Sequence, residues 1–170
     1  VMTRRLDAKI ISGEKKQAVQ RSGLIEWIDA DRGLDDIGGL DNAKEWLIER
    51  ARAFSPEAAA YGLPMPKGLL AVGPPGTGKS ALAKAVSSAW GWPNLRLDLG
   101  RIFGALVGQS ESQLRDALRT AEAAAPCILW LDEIEKAFAG TGAGAADGGT
   151  SARVFGSFLT WMQEKTKPVF

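Results

Sequence analysis

Apolar residues recur along this chain with two periods, and the changes of period divide it into elements. Residues 14–22 are largely polar and stop at Gly23, which predicts a short helix, and Leu24-Ile25-Glu26-Trp27-Ile28 follows with the partial alternation of a strand. Asp41 is expected to cap a helix reaching Arg52, and Ser55-Pro56 to restart a helical turn through Ala60 before Gly62 and Pro64 break it. Residues 67–72 read as a short buried strand, and Leu82, Ala85, Val86 and Ala89 then fall at i, i+3, i+4 and i+7 along a helix. Leu95-Arg96-Leu97-Asp98-Leu99 alternates as a further strand. Ser110 and Gln113 form a capping-box pattern at the head of a helix whose inner face is Leu114, Ala117, Leu118 and Ala121. Pro126 turns the chain into residues 127–131, an unbroken apolar run suited to a parallel strand covered on both faces. Ser151 is expected to cap a last helix with Val154, Phe155, Phe158, Trp161 and Met162 on its apolar face and Arg153 off it.

Strands alternating with helices predict an α/β fold, and chemistry is concentrated where two of the strands end. Between the 67–72 strand and the helix after it stands Gly73-Pro74-Pro75-Gly76-Thr77-Gly78-Lys79-Ser80. Glycines let such a loop curl until several backbone N–H groups face one point, which makes a cradle for phosphates. Lys79 adds a positive charge that reaches the outer phosphates, Ser80 offers a hydroxyl to Mg²⁺, and the new helix aims its positive end at the anion. Strand, glycine-rich loop and helix come in the order this chemistry requires, which raises the match above a chance occurrence.

The 127–131 strand ends in Asp132-Glu133, at the edge where α/β sheets carry their ligands. Asp132 is expected near the metal that Ser80 approaches, and Glu133 is suited to orient and polarise the water that attacks a γ-phosphate. The catalytic set is therefore Lys79, Asp132 and Glu133.

Asp36-Ile37-Gly38-Gly39-Leu40, the GPPGTGKS loop and the Leu131-Asp132-Glu133 box together resemble the AAA branch of the AAA+ ATPases, over Leu34 to the last residue. Further wording, including Ser110-Glu111-Ser112, Ala125 to Trp130 and Arg153 to Phe158, resembles AAA proteins encoded in algal plastids and cyanobacteria as a reading frame of unassigned role. The resemblance implies a P-loop NTPase fold of RecA-like type: a parallel sheet with flanking helices, here an incomplete AAA+ large subdomain over 34–170, after a linker or the end of a preceding domain over 1–33. It implies that Ile37, Gly38 and Gly39 line the adenine. Gly73, Pro74, Pro75, Gly76, Thr77, Gly78, Lys79, Ser80 and Ala81 would hold the phosphates, and Asp132 with Glu133 would form the Walker B pair. ATP and Mg²⁺ are the implied cofactors, and a hexameric ring of the full-length protein acting on a protein partner is the implied assembly.

The loop ahead of the Ser110 helix carries, in AAA motors that thread polypeptides, a gripping aromatic. Here Leu106 stands in that place with Val107 beside it, so a pore-loop role loses its rigid ring. Two functions stay open: an ATPase whose hydrolysis moves a ring against a protein, and a nucleotide-gated scaffold that assembles with little turnover. A P-loop kinase or helicase-like motor fits less well, because Asp132-Glu133 suits activation of water and no basic tract offers a nucleic-acid groove.

Composition narrows the chemistry without changing this picture. The 170 residues are 45% apolar and suffice for one globular α/β unit with a sizeable core. Histidine is absent, which removes the usual general base and metal ligand, so acid–base work falls to carboxylates. The single cysteine, Cys127, lies in the predicted central strand and reads as a small buried apolar residue; no disulfide or zinc site is available to it. A net charge of +1 gives no electrostatic case for nucleic acid or an anionic membrane, and Lys15-Lys16 read as a solvated face. With no signal peptide or spanning run visible, a cytoplasmic or plastid-stromal protein is expected. The six tryptophans are scattered over different elements and read as core packing, with Trp90 and Trp92 at an exposed edge. Residues 139–150, nearly all Gly, Ala and Thr, have little apolar surface to bury and are expected to stay mobile. Val1 ahead of Met2, and a new apolar run beginning at the last residues, lead us to expect an excerpt of a longer protein. By resemblance its continuation would carry a fourth core strand with a sensor residue, an arginine finger and a helical lid.

Overall fold

A computed structural model of the chain describes residues 8–29, 31–103, 109–132, 134 and 148–170. Its sheet is ordered β1 (Ile25–Ile28), β2 (Asn94–Asp98), β3 (Ile128–Asp132), with β2 antiparallel to β1 and parallel to β3. Alternation decides what each face meets. Ile25, Leu95, Leu97 and Leu129 point to one side and are buried with Val19 of α1 (Ala8–Ser22), with Leu114, Ala117, Leu118 and Ala121 of α6 (Gln109–Ala124), and with Val154 and Phe158 of α7 (Gly148–Glu164). On the opposite side Ile128 joins Leu82, Ala85 and Val86 of α4 (Lys79–Trp90), Leu47 of α2 (Asp41–Ala51) and Leu34. Helices on both faces of the sheet, which is parallel at β2–β3 and antiparallel only at the added N-terminal strand β1, make the α/β P-loop NTPase architecture, here with a three-stranded sheet among the described residues.

The remaining helices are short. α3 (Pro56–Ala60) is capped by Ser55, whose Oγ accepts the Ala58 N–H at 3.2 Å, and α5 (Leu99–Phe103) leads straight out of β2. α4 ends on Gly91, whose φ of 65° is the left-handed cap that a side chain resists. Chain ends beyond the sheet also pair: residues 168–170 lie along the far edge of β3, where the Phe170 N–H donates to the Cys127 carbonyl at 3.0 Å and the Leu129 N–H to Phe170 at 2.7 Å. Cys127 is fully buried at this seam, and burial pushes its thiol up to about 12, so it is inert as a nucleophile near neutral pH.

Several expectations need correction. Residues 67–72 form no strand: among the described residues no ladder hydrogen bond reaches them, and Leu70 and Val72 are 72% and 86% exposed. An apolar run becomes a strand only with a partner, and among the described residues the free edge of β3 is taken by residues 168–170. Asp41 is the first helical residue, not the cap, which is Leu40 at φ 60°. Ser110 also lies inside its helix, since Gln109 is already helical and Ser110 is buried. α7 begins at Gly148, ahead of Ser151. Lys15 and Lys16 have internal partners: Lys15 Nζ donates to the carbonyls of Ala124 and Ala125 at the end of α6, and Lys16 pairs with Asp29 at 2.9 Å. Trp90 and Trp92 do not stand at an exposed edge but pack against Phe54, Trp92 edge-on and Trp90 tilted, with 5.3 Å between their own ring centres and Phe170 beside them. Of the glycine-rich segment, only 148–150 are among the described residues, and they are helical.

Candidate functional site

Two left-handed glycines build the loop before α4. Gly76 at φ 81° and Gly78 at φ 89° take conformations that a β-carbon resists, and they turn the chain so that Lys79 and Ser80 open the helix. Thr77 Oγ1 donates to the Pro74 carbonyl at 2.9 Å and closes the loop on itself. Lys79 Nζ folds back over it and donates to the carbonyls of Gly73 and Pro74, both at 2.7 Å. The ammonium is thus held at the mouth of the loop by two neutral acceptors, which anionic oxygens would replace at stronger hydrogen bonds.

Parallel pairing with β2 carries β3 out to Asp132, opposite Asp98. Lys79, Ser80 and Asp132 line one open groove of about 560 Å³, together with residues 67–71, the β3 segment before Asp132 and mostly apolar side chains of α4 and α7. Ile37, Gly38 and Gly39 and the loop residues 73–78 are not in that lining. Ile37 is linked to it through Leu47 and Leu82, which belong both to the lining and to the core that Ile37 packs against. Lys44 Nζ donates to the Ile37 carbonyl at 2.5 Å and ties this turn to α2. Gly39 and Leu40 follow it in left-handed conformations, φ 69° and 60°. Glu133, Leu106 and Val107 lie outside the described residues.

Asp132 also meets a side chain that the sequence reading passed over. Arg96 Nη2 donates to its Oδ2 at 3.1 Å. The available signal was parity: with Leu95 and Leu97 facing one core, Arg96 had to leave β2 on the other side, in register with Trp130 and two residues short of Asp132.

The donor set fits Mg²⁺ held by a nucleotide. A hydroxyl and a carboxylate are hard oxygen ligands, and among the described residues no group of three His, Cys, Asp or Glu side chains could hold a metal alone. Magnesium is characteristically bound that way, by one or two protein oxygens with phosphate and water supplying the rest.

The profile of the ATPase family associated with various cellular activities (AAA) matches residues 69–170, from the wall of the groove through both motifs. The chain belongs to the AAA family. It is 53% identical over 161 residues to an uncharacterized AAA domain-containing protein, ycf46, of Pyropia yezoensis, covering 95% of this chain and 32% of that protein. The ycf46 protein of Trieres chinensis is 48% identical over the same shares. An ATP-dependent zinc metalloprotease of Oryza sativa subsp. japonica, chloroplastic FTSH 6, is 40% identical over 68% of this chain and 17% of its own length. This AAA chain spans about a third of the length of the ycf46 relatives. No helix among the described residues is long and apolar enough to cross a membrane.

Proposed function

We propose that this AAA chain binds Mg·ATP at the 73–81 loop and hydrolyses it, coupling the cycle to movement in a ring of subunits that acts on a protein partner in the cytoplasm or plastid stroma. The observation that carries this reading is that Lys79, Ser80 and Asp132, from two motifs well separated in the sequence, line one groove. In the proposed site Lys79 exchanges the Gly73 and Pro74 carbonyls for phosphate oxygens, and the α4 N-terminus adds its dipole. Ser80 and Asp132 hold the metal, and Glu133 orients the attacking water. Ile37, Gly38 and Gly39 take the adenine beside the α2–α4 core. Bound Mg²⁺ supplies neutralisation of the charge that develops between the outer phosphates. A hexamer is the assembly that the family suggests.

The test separates binding from turnover. Lys79→Ala lowers ATP affinity, whereas Glu133→Gln keeps ATP bound and loses phosphate release, on the order of 100-fold or more for a group acting in the transition state. Tight ATP binding by Lys79→Ala would sink the assignment. The second reading, a nucleotide-gated scaffold, rests on Leu106 in place of a gripping aromatic. Stimulation of turnover by an unfolded polypeptide favours the motor; ATP-dependent assembly with flat turnover favours the scaffold.

A further inference from the structure

Arg96 is held from both neighbouring strands at once. The pairing registers place Glu26 of β1, Arg96 of β2 and Trp130 of β3 in a single row across the sheet. The guanidinium lies 5.3 Å from the Trp130 ring centre, Nη2 donates to Asp132 Oδ2 at 3.1 Å, and Nη1 stands 3.8 Å from Glu26 Oε2. The indole face attracts the guanidinium, the hydrogen bond to Asp132 sets the direction of Nη2, and the Glu26 carboxylate adds a looser charge contact on the other side.

We propose that Arg96 is a positioning residue for the Asp132 carboxylate, and that Glu26 of the N-terminal strand steadies Arg96 in turn. The proposal rests on the reading that Asp132 serves a nucleotide-bound metal. The Arg96 and Asp132 side chains are 37% and 38% exposed, and an ion pair so open to water adds little to stability. What it does supply is orientation: with Oδ2 engaged, the carboxylate is held in one attitude at the wall of the groove that Lys79 and Ser80 share. Groups that orient a metal's ligands commonly change affinity or activity by about 10- to 100-fold when removed. A lone positive charge near the metal acts the other way, because its removal relieves repulsion and tightens metal binding. The sign of the change therefore distinguishes a positioning arginine from a merely repulsive one.

The experiment is a Mn²⁺ titration in the presence of ADP, read from the free-ion signal in electron paramagnetic resonance, alongside ADP binding in EDTA. Arg96→Ala is expected to weaken Mn²⁺ binding roughly 10-fold while metal-free ADP binding stays close to that of the unaltered protein. Arg96→Lys keeps the charge but not the planar fork and recovers part of the loss. Glu26→Gln, a change at an exposed side chain that leaves the fold intact, weakens Mn²⁺ binding in the same direction by less. Unchanged or tighter Mn²⁺ binding in Arg96→Ala, or an unchanged affinity in Glu26→Gln should the alanine variant not fold, overturns the positioning role while the nucleotide site stands. Failure of the unaltered protein to take up Mn²⁺ with ADP overturns the nucleotide reading itself, and this proposal with it.

Discussion

At the residue scale, burial of a charge gives the sharpest test of the structure. Lys165 is 7% exposed; its ammonium donates to the Val169 carbonyl and faces the Trp161 ring at 5.8 Å. Burial foremost, and then the nearby Lys67 charge, lower its pKa from 10.5 to about 8. Below about pH 8 the folded and unfolded chains both carry the proton, and the folded state bears the whole cost of keeping the ammonium out of water. Between about 8 and 10.5 the unfolded chain binds more protons, so stability rises with pH, by at most roughly 3 kcal/mol. Denaturant unfolding at pH 7 and pH 10, with Lys165→Met measured alongside, isolates this contribution from other titrations. The expected outcome is a smaller gain on raising the pH in Lys165→Met than in the unaltered chain; equal gains would mean that Lys165 is solvated.

At the scale of elements, the legible parts of the chain were those whose structure depends on local pattern. Apolar spacing located α6 and its buried face of Leu114, Ala117, Leu118 and Ala121, and alternation located β2, because each needs only its own side chains and one covering layer. The 67–72 run misled because a strand is a relation between two segments, and sequence pattern carries no information about whether the partner is there. Cap positions at Asp41 and Ser110 differ from the sequence reading because Asp41 and Gln109 are already helical, and helix ends are the part of an element that pattern locates least sharply. That Lys79, Ser80 and Asp132 share a groove follows the order of the two motifs they belong to, whereas Arg96 came into view only once the register put it beside Asp132. The N-terminal strand likewise carries more than its weak pattern suggested. Ile25 of β1 is 4% exposed in the same core as Leu95 and Leu97, with Val19 of α1 at 1%. Ile25→Ala is expected to destabilise the domain by about 2–5 kcal/mol, measured by urea unfolding. A change under about 0.5 kcal/mol, the size usual for surface positions, would show that β1 is detachable from the AAA unit.

At the scale of the whole molecule, the open question is whether one chain completes a site. The groove lined by Lys79, Ser80 and Asp132 is lined as well by Leu69 and Leu70 and by Leu159 of α7, which are 46%, 72% and 48% exposed. Exposed apolar side chains grouped in this way favour association, but association through them alone would be indifferent to nucleotide. Assembly that shares an active site has a different signature: turnover per chain rises with concentration, and the rise depends on ATP, because a neighbour must reach the phosphates for the step to proceed. Phosphate release from Mg·ATP should therefore be followed against protein concentration, with Glu133→Gln as the blank and the full-length ycf46 relative of Pyropia yezoensis beside it. For a motor, the full-length relative shows specific activity climbing to a plateau, and the mass seen in ultracentrifugation climbs with it only when ATP is present. If this chain binds ATP yet stays at the blank while the relative climbs, the shared site needs residues that the relative has outside the 32% it has in common with this chain. If both bind ATP, both assemble on it and neither exceeds the blank, nucleotide is an assembly signal, and the loss of the aromatic at Leu106 finds its explanation in a scaffold that has nothing to grip.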